Sequence, residues 1–155
     1  MDSAGLVSEA NVIENSLGSK GCGYGVECSF DGYHRGICPE GWHVPSHDEF
    51  STLFSAVGGS ATAATKLKST EVWNEGYTGT DDYGFKLLPA GYRSEKKFSR
   101  LGIETVLWTV SPASVISYGK FEYYAQTADF SYSYDYPTYG NFFKYVGYSL
   151  RCLKD

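Results

Sequence analysis

A chain of 155 residues is the length of one domain with one core, and its apolar share of 42% is enough to fill that core. A formal net charge of −5 leaves no basic footprint, which excludes nucleic acid and anionic membrane as main partners. No run of about 18 apolar residues is present, so no transmembrane helix is expected, and the opening MDSAGLVSEANVIENS shows no basic segment leading into an apolar run, so no signal peptide is expected.

In chain order, the first third is loop-rich, with glycine at short intervals from Gly18 to Gly41. It carries Cys22, Cys28 and Cys38; the fourth cysteine is Cys152. Cys22, Cys28, His34 and Cys38 are the donor types of a zinc site, but C-x5-C-x5-H-x3-C is not a common zinc spacing. Disulfides and four reduced thiols are the alternatives, and no metal is assigned. Ser46 stands three residues before Glu49, the spacing at which side chain and backbone satisfy each other's orphan amides. Phe50, Leu53, Phe54 and Val57 then share one face, and Gly58-Gly59 stops the pattern, which predicts a helix over 47–57. A second helix is expected from Ala61 to Lys68, where alanine is frequent.

Beyond Trp73 lies the turn-rich NEGYTGTDDYGF, after which FKLLPAGYR and VLWTV read as short strands. Asp81 and Asp82, with Asn74 and Glu75, are oxygen donors that calcium accepts, although acidic turns more often cap backbone or face water. In FSYSYDY, strict alternation predicts a strand with Phe130, Tyr132, Tyr134 and Tyr136 on one face, ended by Pro137. YSLRCLK reads as a closing strand. Helices first and short strands after suggest an α+β domain.

Thirteen aromatic residues, nine of them tyrosine, fall within the thirty-one positions from Tyr118 to Tyr148. Their companions are mostly Ser, Thr, Asp, Asn, Gly and Ala. Tyrosine offers a rigid amphipathic face at low entropic cost, and small polar residues add adaptable hydrogen bonds, so the composition is that of a contact surface. Tyr and Phe also favour strands and fill cores, so roughly half of the thirteen are expected to be structural.

Four segments, GICPEGWHVPSHDEF, TKLKST, GTDDYGFKLLPAGYR and GYSLRCLKD, occur in this order from Gly36 to Asp155. Together they resemble the Fibrobacter succinogenes major paralogous domain family, with residues 1–35 as a loop-rich extension and 36–155 as the domain. The resemblance implies a C-type-lectin-like α+β fold of the formylglycine-generating-enzyme branch, with two helices, short antiparallel strands and long loops. Members of that branch serve as variable proteins of diversity-generating retroelements, in which adenines of selected codons near the C-terminus are randomised. The tyrosine-rich segment lies where such a variable region falls, just before GYSLRC. Family members often carry Asn-rich runs there; this chain carries Tyr, Ser, Asp, Phe and Thr, all reachable from Asn codons by adenine substitution.

The resemblance implies a ligand-binding protein with a protein or glycan partner, displayed on a cell surface or virion. No catalysis, cofactor, nucleic acid or membrane insertion is expected, and a monomer is expected. The expected ligand-binding residues are Tyr118, Phe121, Tyr123, Tyr132, Tyr134, Tyr136, Tyr139, Asn141, Phe142, Phe143 and Tyr145. Trp42, Trp108, GTDDYGF and the PAGYR turn are expected in the framework. Cys38 and Cys152 occupy the family's cysteine positions, and the resemblance implies that they pair. A structural or adhesive surface module is the alternative reading. An oxidase of the formylglycine-generating type is a further one, but those enzymes use a reactive cysteine pair toward the C-terminal part, where this chain has Cys152 alone. His34, His43 and His47 have no carboxylate pair or nucleophile motif beside them.

Overall fold

The computed structural model describes residues 32–74, 76–117 and 120–155, with Val115, Ser117, Lys120 and Phe121 placed by backbone alone. The architecture of the described residues is α+β, with two helices and antiparallel strand pairs. Helix α1 spans His47–Ala56 and helix α2 spans Ser60–Leu67. The capping box forms at Ser46, whose hydroxyl accepts from Glu49 N while Glu49 Oε2 accepts from Ser46 N. Gly58 and Gly59 both have positive φ and turn the chain directly from one helix into the next. Phe50, Phe54 and Val57 are buried and Leu53 packs at their edge, so the predicted apolar face of α1 is the one used. Ala63, Ala64 and Leu67 of α2 complete the helical half of the core.

GTDDYGF earns its place at the end of α2, where a helix leaves carbonyls without partners. Thr80 N donates to Thr65 O, Asp82 N to Lys66 O and Leu87 N to Leu67 O. Asp81 closes the same turn, its Oδ1 accepting from Lys86 N. Its carboxylate is thus used on backbone. Asp82 and Asn74 are exposed, and Glu75 lies outside the described residues. Among the described residues, no three His, Cys, Asp or Glu side chains gather as a metal site.

Among the described residues, the strands are β1 (Trp42–His43), β2 (Tyr92–Ser94), β3 (Lys97–Ser99), β4 (Glu104–Ser117), β5 (Lys120–Ser131), β6 (Thr138–Phe143) and β7 (Leu153–Lys154). β4, β5 and β6 form a three-stranded sheet in that order, β2 pairs with β3, and β1 pairs with β7. The register shifts between Trp108 and Pro112, where proline has no amide to donate. There Val110 N donates to Pro45 O and Ser111 Oγ accepts from His47 N, tying the irregularity to the start of α1. One sheet face carries Leu107, Ala128 and Phe130 against the helices. The pleat sends Val106, Thr127 and Asp129 to the other face.

Three strand expectations need correction. FSYSYDY is not a strand beyond Ser131: Tyr132 N still donates to Ile103 O in register, but residues 132–137 turn away, and the Asp135 carbonyl accepts from Ala64 N and Thr65 N instead of from a neighbouring strand. Within FKLLPAGYR only Tyr92 and Arg93 belong to a regular strand; Leu87 and Gly91 make isolated bridges. The positive φ of Gly91, and the Ser99 oxygen against its Cα, demand glycine there. YSLRCLK is mostly irregular, with Ser149 bridging to Leu107 and only Leu153 and Lys154 in a strand. The core tryptophan is Trp73, whose Nε1 donates to Leu87 O. Trp42, expected in the framework, is exposed.

Cys38 and Cys152 form a disulfide with a Cα–Cα distance of 5.8 Å, so Cys38 cannot serve as a zinc thiolate. Cys22 and Cys28 lie outside the described residues. Beside the disulfide, His43 is buried with both ring nitrogens engaged, Nδ1 at 2.6 Å from Asp155 and Nε2 at 2.9 Å from Glu49. Burial pulls the His43 pKa down, but the hydrogen bonds and charges of Asp155 and Glu49 outweigh it and hold the imidazole above its ordinary value. This arrangement sets His43 between two carboxylates and ties α1 to the C-terminal segment.

Candidate binding surface

The tyrosine-rich segment is spread over β5, a turn, β6 and the loop after it. Tyr134 and Tyr136 sit on the turn, both exposed, stacked with ring centroids 5.1 Å apart and planes 30° from parallel. Side chains and amides of α2 hold this turn from below. Lys68, itself buried, donates from Nζ to Tyr134 O at 2.9 Å, and its ammonium lies 4.8 Å from the centroid of the Trp73 ring. Burial lowers the Lys68 pKa, while the Asp135 charge works the other way. Thr65 Oγ1 donates to Asp135 Oδ1, next to the two amides that the Asp135 carbonyl accepts from. The backbone beneath the two tyrosines is therefore fixed by groups outside the segment.

Alternation does operate on β6. Tyr139, Asn141 and Phe143 pair with Ala128, Gln126 and Tyr124, and Thr138, Gly140 and Phe142 fall on the opposite face. Tyr139 packs into α1, 4.0 Å from the His47 ring and 5.8 Å from Phe54, and shares a hydrogen bond with Ser51. It is half framework, half surface. Asn141 is exposed. Phe143 lies between Tyr124 and Tyr145, its centroid 4.6 and 5.2 Å from theirs, and Tyr145 is exposed. Tyr123 is half-buried on β5 opposite Ser114. Tyr132 packs edge-on against Tyr77 beside the core. Tyr118 lies outside the described residues, as does the side chain of Phe121.

Phe142 belongs to a second aromatic group on the sheet face away from the helices. Tyr148 is its hub, 5.2 Å from Phe142, 4.9 Å from Trp108 and 5.8 Å from Tyr92. A cleft of about 310 Å³ opens here, and Asp129 and Glu104 line it. Burial raises the Asp129 pKa to about 6, and the Glu104 charge adds to the effect. Burial and the surrounding acids push the Tyr148 phenol well above its ordinary range. The sequence reading missed Asp129, Glu104, Tyr92 and Tyr148. A signal existed in QTADFS, where Ala128 and Phe130 alternate with Thr127 and Asp129 and so set an acid on the second face of a strand.

The model of the Fibrobacter succinogenes major domain matches residues 9–154. The chain belongs to that family. The match begins inside the segment read as an N-terminal extension and takes in the disulfide, both helices and the whole aromatic segment. No curated protein and no solved structure matches the chain.

Proposed function

We propose that this member of the family is a ligand-binding protein, with a C-type-lectin-like scaffold that presents a diversified, tyrosine-rich surface as in the variable proteins of diversity-generating retroelements. The observation that carries the proposal is the Tyr134–Tyr136 pair: two exposed, mutually stacked rings on a turn held by Lys68, Ala64 and Thr65. Rigid aromatic anchors of this kind lose little entropy on contact, so their affinity comes from preorganisation and not from loop folding. Phe143 and Tyr145 supply a second stacked pair, with Tyr145 exposed. The partner is a protein or glycan. The groups that fix the backbone of the turn, on Ala64, Thr65 and Lys68, lie outside the segment, so the exposed side chains of Tyr134 and Tyr136 can be exchanged with small effects on the fold.

Two measurements test this. The nucleotide sequence around the gene should contain a downstream repeat that differs from the tyrosine-rich segment at adenines, with a reverse transcriptase nearby. Once a ligand is captured, Tyr134→Ala/Tyr136→Ala should abolish its binding with the melting temperature nearly unchanged. Full retention of binding by that variant would defeat the proposal.

A further inference from the structure

The cleft on the second sheet face is built unlike the rest of the aromatic surface. Its walls include the rings of Tyr92, Tyr134, Phe142 and Tyr148, and its floor carries Asp129 from β5 and Glu104 from β4. The register pairs Val106 with Asp129 and Glu104 with Ser131, so the two carboxylates are diagonal neighbours on one face. Such neighbours have their β-carbons about 7 Å apart. Among the described residues, no lysine, arginine or histidine lines the cleft. Among the described residues, neither the buried Asp129 Oδ1 nor the Thr127 hydroxyl has a hydrogen bond of full geometry; Thr127 lies close enough to favour the charged carboxylate, but too weakly to offset its burial. Gly140 leaves the space that this requires, since a β-carbon there would meet the Phe142 ring and Asp129 Oδ2.

A buried carboxylate with only the weak Thr127 contact, and with Glu104 on the same face, is unfavourable in the free protein. A cation entering the cleft would remove that cost. Aromatic faces attract organic cations by their quadrupole, and the volume is at the small end of ligand pockets, enough for one side-chain head group. Calcium or magnesium would need about six oxygen donors, and two carboxylates among aromatic rings are a poor match. A planar guanidinium fits better than an ammonium, because it can stack on a ring while donating in its own plane to both acids. The net charge of −5 also favours a basic partner.

We propose that this cleft is a receptor for a single arginine side chain of the ligand, clamped by Asp129 and Glu104 between the rings of Tyr148 and its neighbours. The arginine's source rests on the contact-surface reading above, in its protein-ligand form; the cleft's preference for guanidinium does not.

The test uses the full chain and two small probes, N-acetyl-arginine methylamide and its neutral isostere N-acetyl-citrulline methylamide. Amide chemical shifts are followed by NMR. The arginine probe should give saturable shifts confined to amides near Thr127, Asp129, Phe142 and Tyr148, and citrulline should give none. Asp129→Asn should weaken binding at least tenfold with the spectrum otherwise native, and Glu104→Gln severalfold. Binding should also weaken from pH 7.5 to pH 5 as Asp129 takes up a proton; the other titratable groups facing it are Glu104, Tyr92, Tyr134 and Tyr148. Equal shifts with citrulline, or a response to calcium and not to arginine, would overturn the assignment. Loss of response in Glu104→Gln but not in Asp129→Asn would do the same. A null titration would dispose of the cleft and leave the Tyr134–Tyr136 surface standing, since that surface is tested by its own variant.

Discussion

Replacing Cys38 and Cys152 together by alanine opens a loop with a sequence separation of 114 residues. Closure of a loop that long removes about 16 cal/mol/K of entropy from the unfolded chain, which is about 5 kcal/mol at 25 °C. A domain of this size is commonly stable by only 5–15 kcal/mol, so the variant should lose a third or more of its margin. The bridge also secures the β1–β7 pair, only two residues on each side, together with the His43–Asp155 contact. Urea unfolding monitored by tryptophan fluorescence should therefore show a midpoint shifted down by several tenths of the wild-type value with an altered slope, because the unlinked denatured chain exposes more surface. Substitution is preferable to reduction, since it leaves Cys22 and Cys28 untouched. A loss below about 2 kcal/mol would refute the reasoning, and would mean that the unlinked chain already keeps these ends together when unfolded.

Three other outcomes follow from named contacts. The His43 pKa is raised in the folded state, so its contribution is whole below the ordinary histidine value and fades as pH rises through the folded one; Glu49 is lowered, so its share is whole above the ordinary carboxylate value and fades as pH falls through the folded one. Unfolding free energy measured across pH 3–9 should therefore peak between the two values, and His43→Phe should cost about 3 kcal/mol at the peak and flatten the alkaline limb. Asp129 has the opposite sense for a carboxylate, with a folded pKa of about 6 against 3.8, so its ionisation penalises the fold progressively between those values and fully above them. Asp129→Asn should stabilise at pH 8 by at most about 3 kcal/mol and change little at pH 3.5, as read by chemical denaturation. Tyr139→Ala should lower stability by about 1–2 kcal/mol through lost packing on Phe54 and the Ser51 hydrogen bond, whereas Tyr136→Ala should change it by less than about 0.5 kcal/mol in thermal melts.

Local signals carried the helices. Ser46, Glu49 and the Phe50–Val57 spacing mark α1 because capping and amphipathic burial act within a few residues, and the observed helix differs by one residue at its end. The disulfide was legible only through the family resemblance. FSYSYDY shows where local pattern fails: its alternation continues into a turn because distant partners, the amides of Ala64 and Thr65 on α2, take the Asp135 carbonyl that a strand would need. The same holds for the aromatics. Tyr139 is anchored by α1 and Phe142 by Tyr148, and nothing in the adjacent residues distinguishes them from exposed Tyr134. Asp129 and Glu104 meet through strand register, which their positions in the sequence do not reveal.

The pairing of Trp42–His43 with Leu153–Lys154 has a use beyond stability. With the disulfide and His43 beside it, the pair holds Cys38–His43 and Cys152–Asp155 side by side. A unit with adjacent ends can be spliced into a surface loop of a host protein without prying that loop apart. Grafted by residues 38–155, it would carry the Tyr134–Tyr136 turn on a base whose two attachment points are already stapled together.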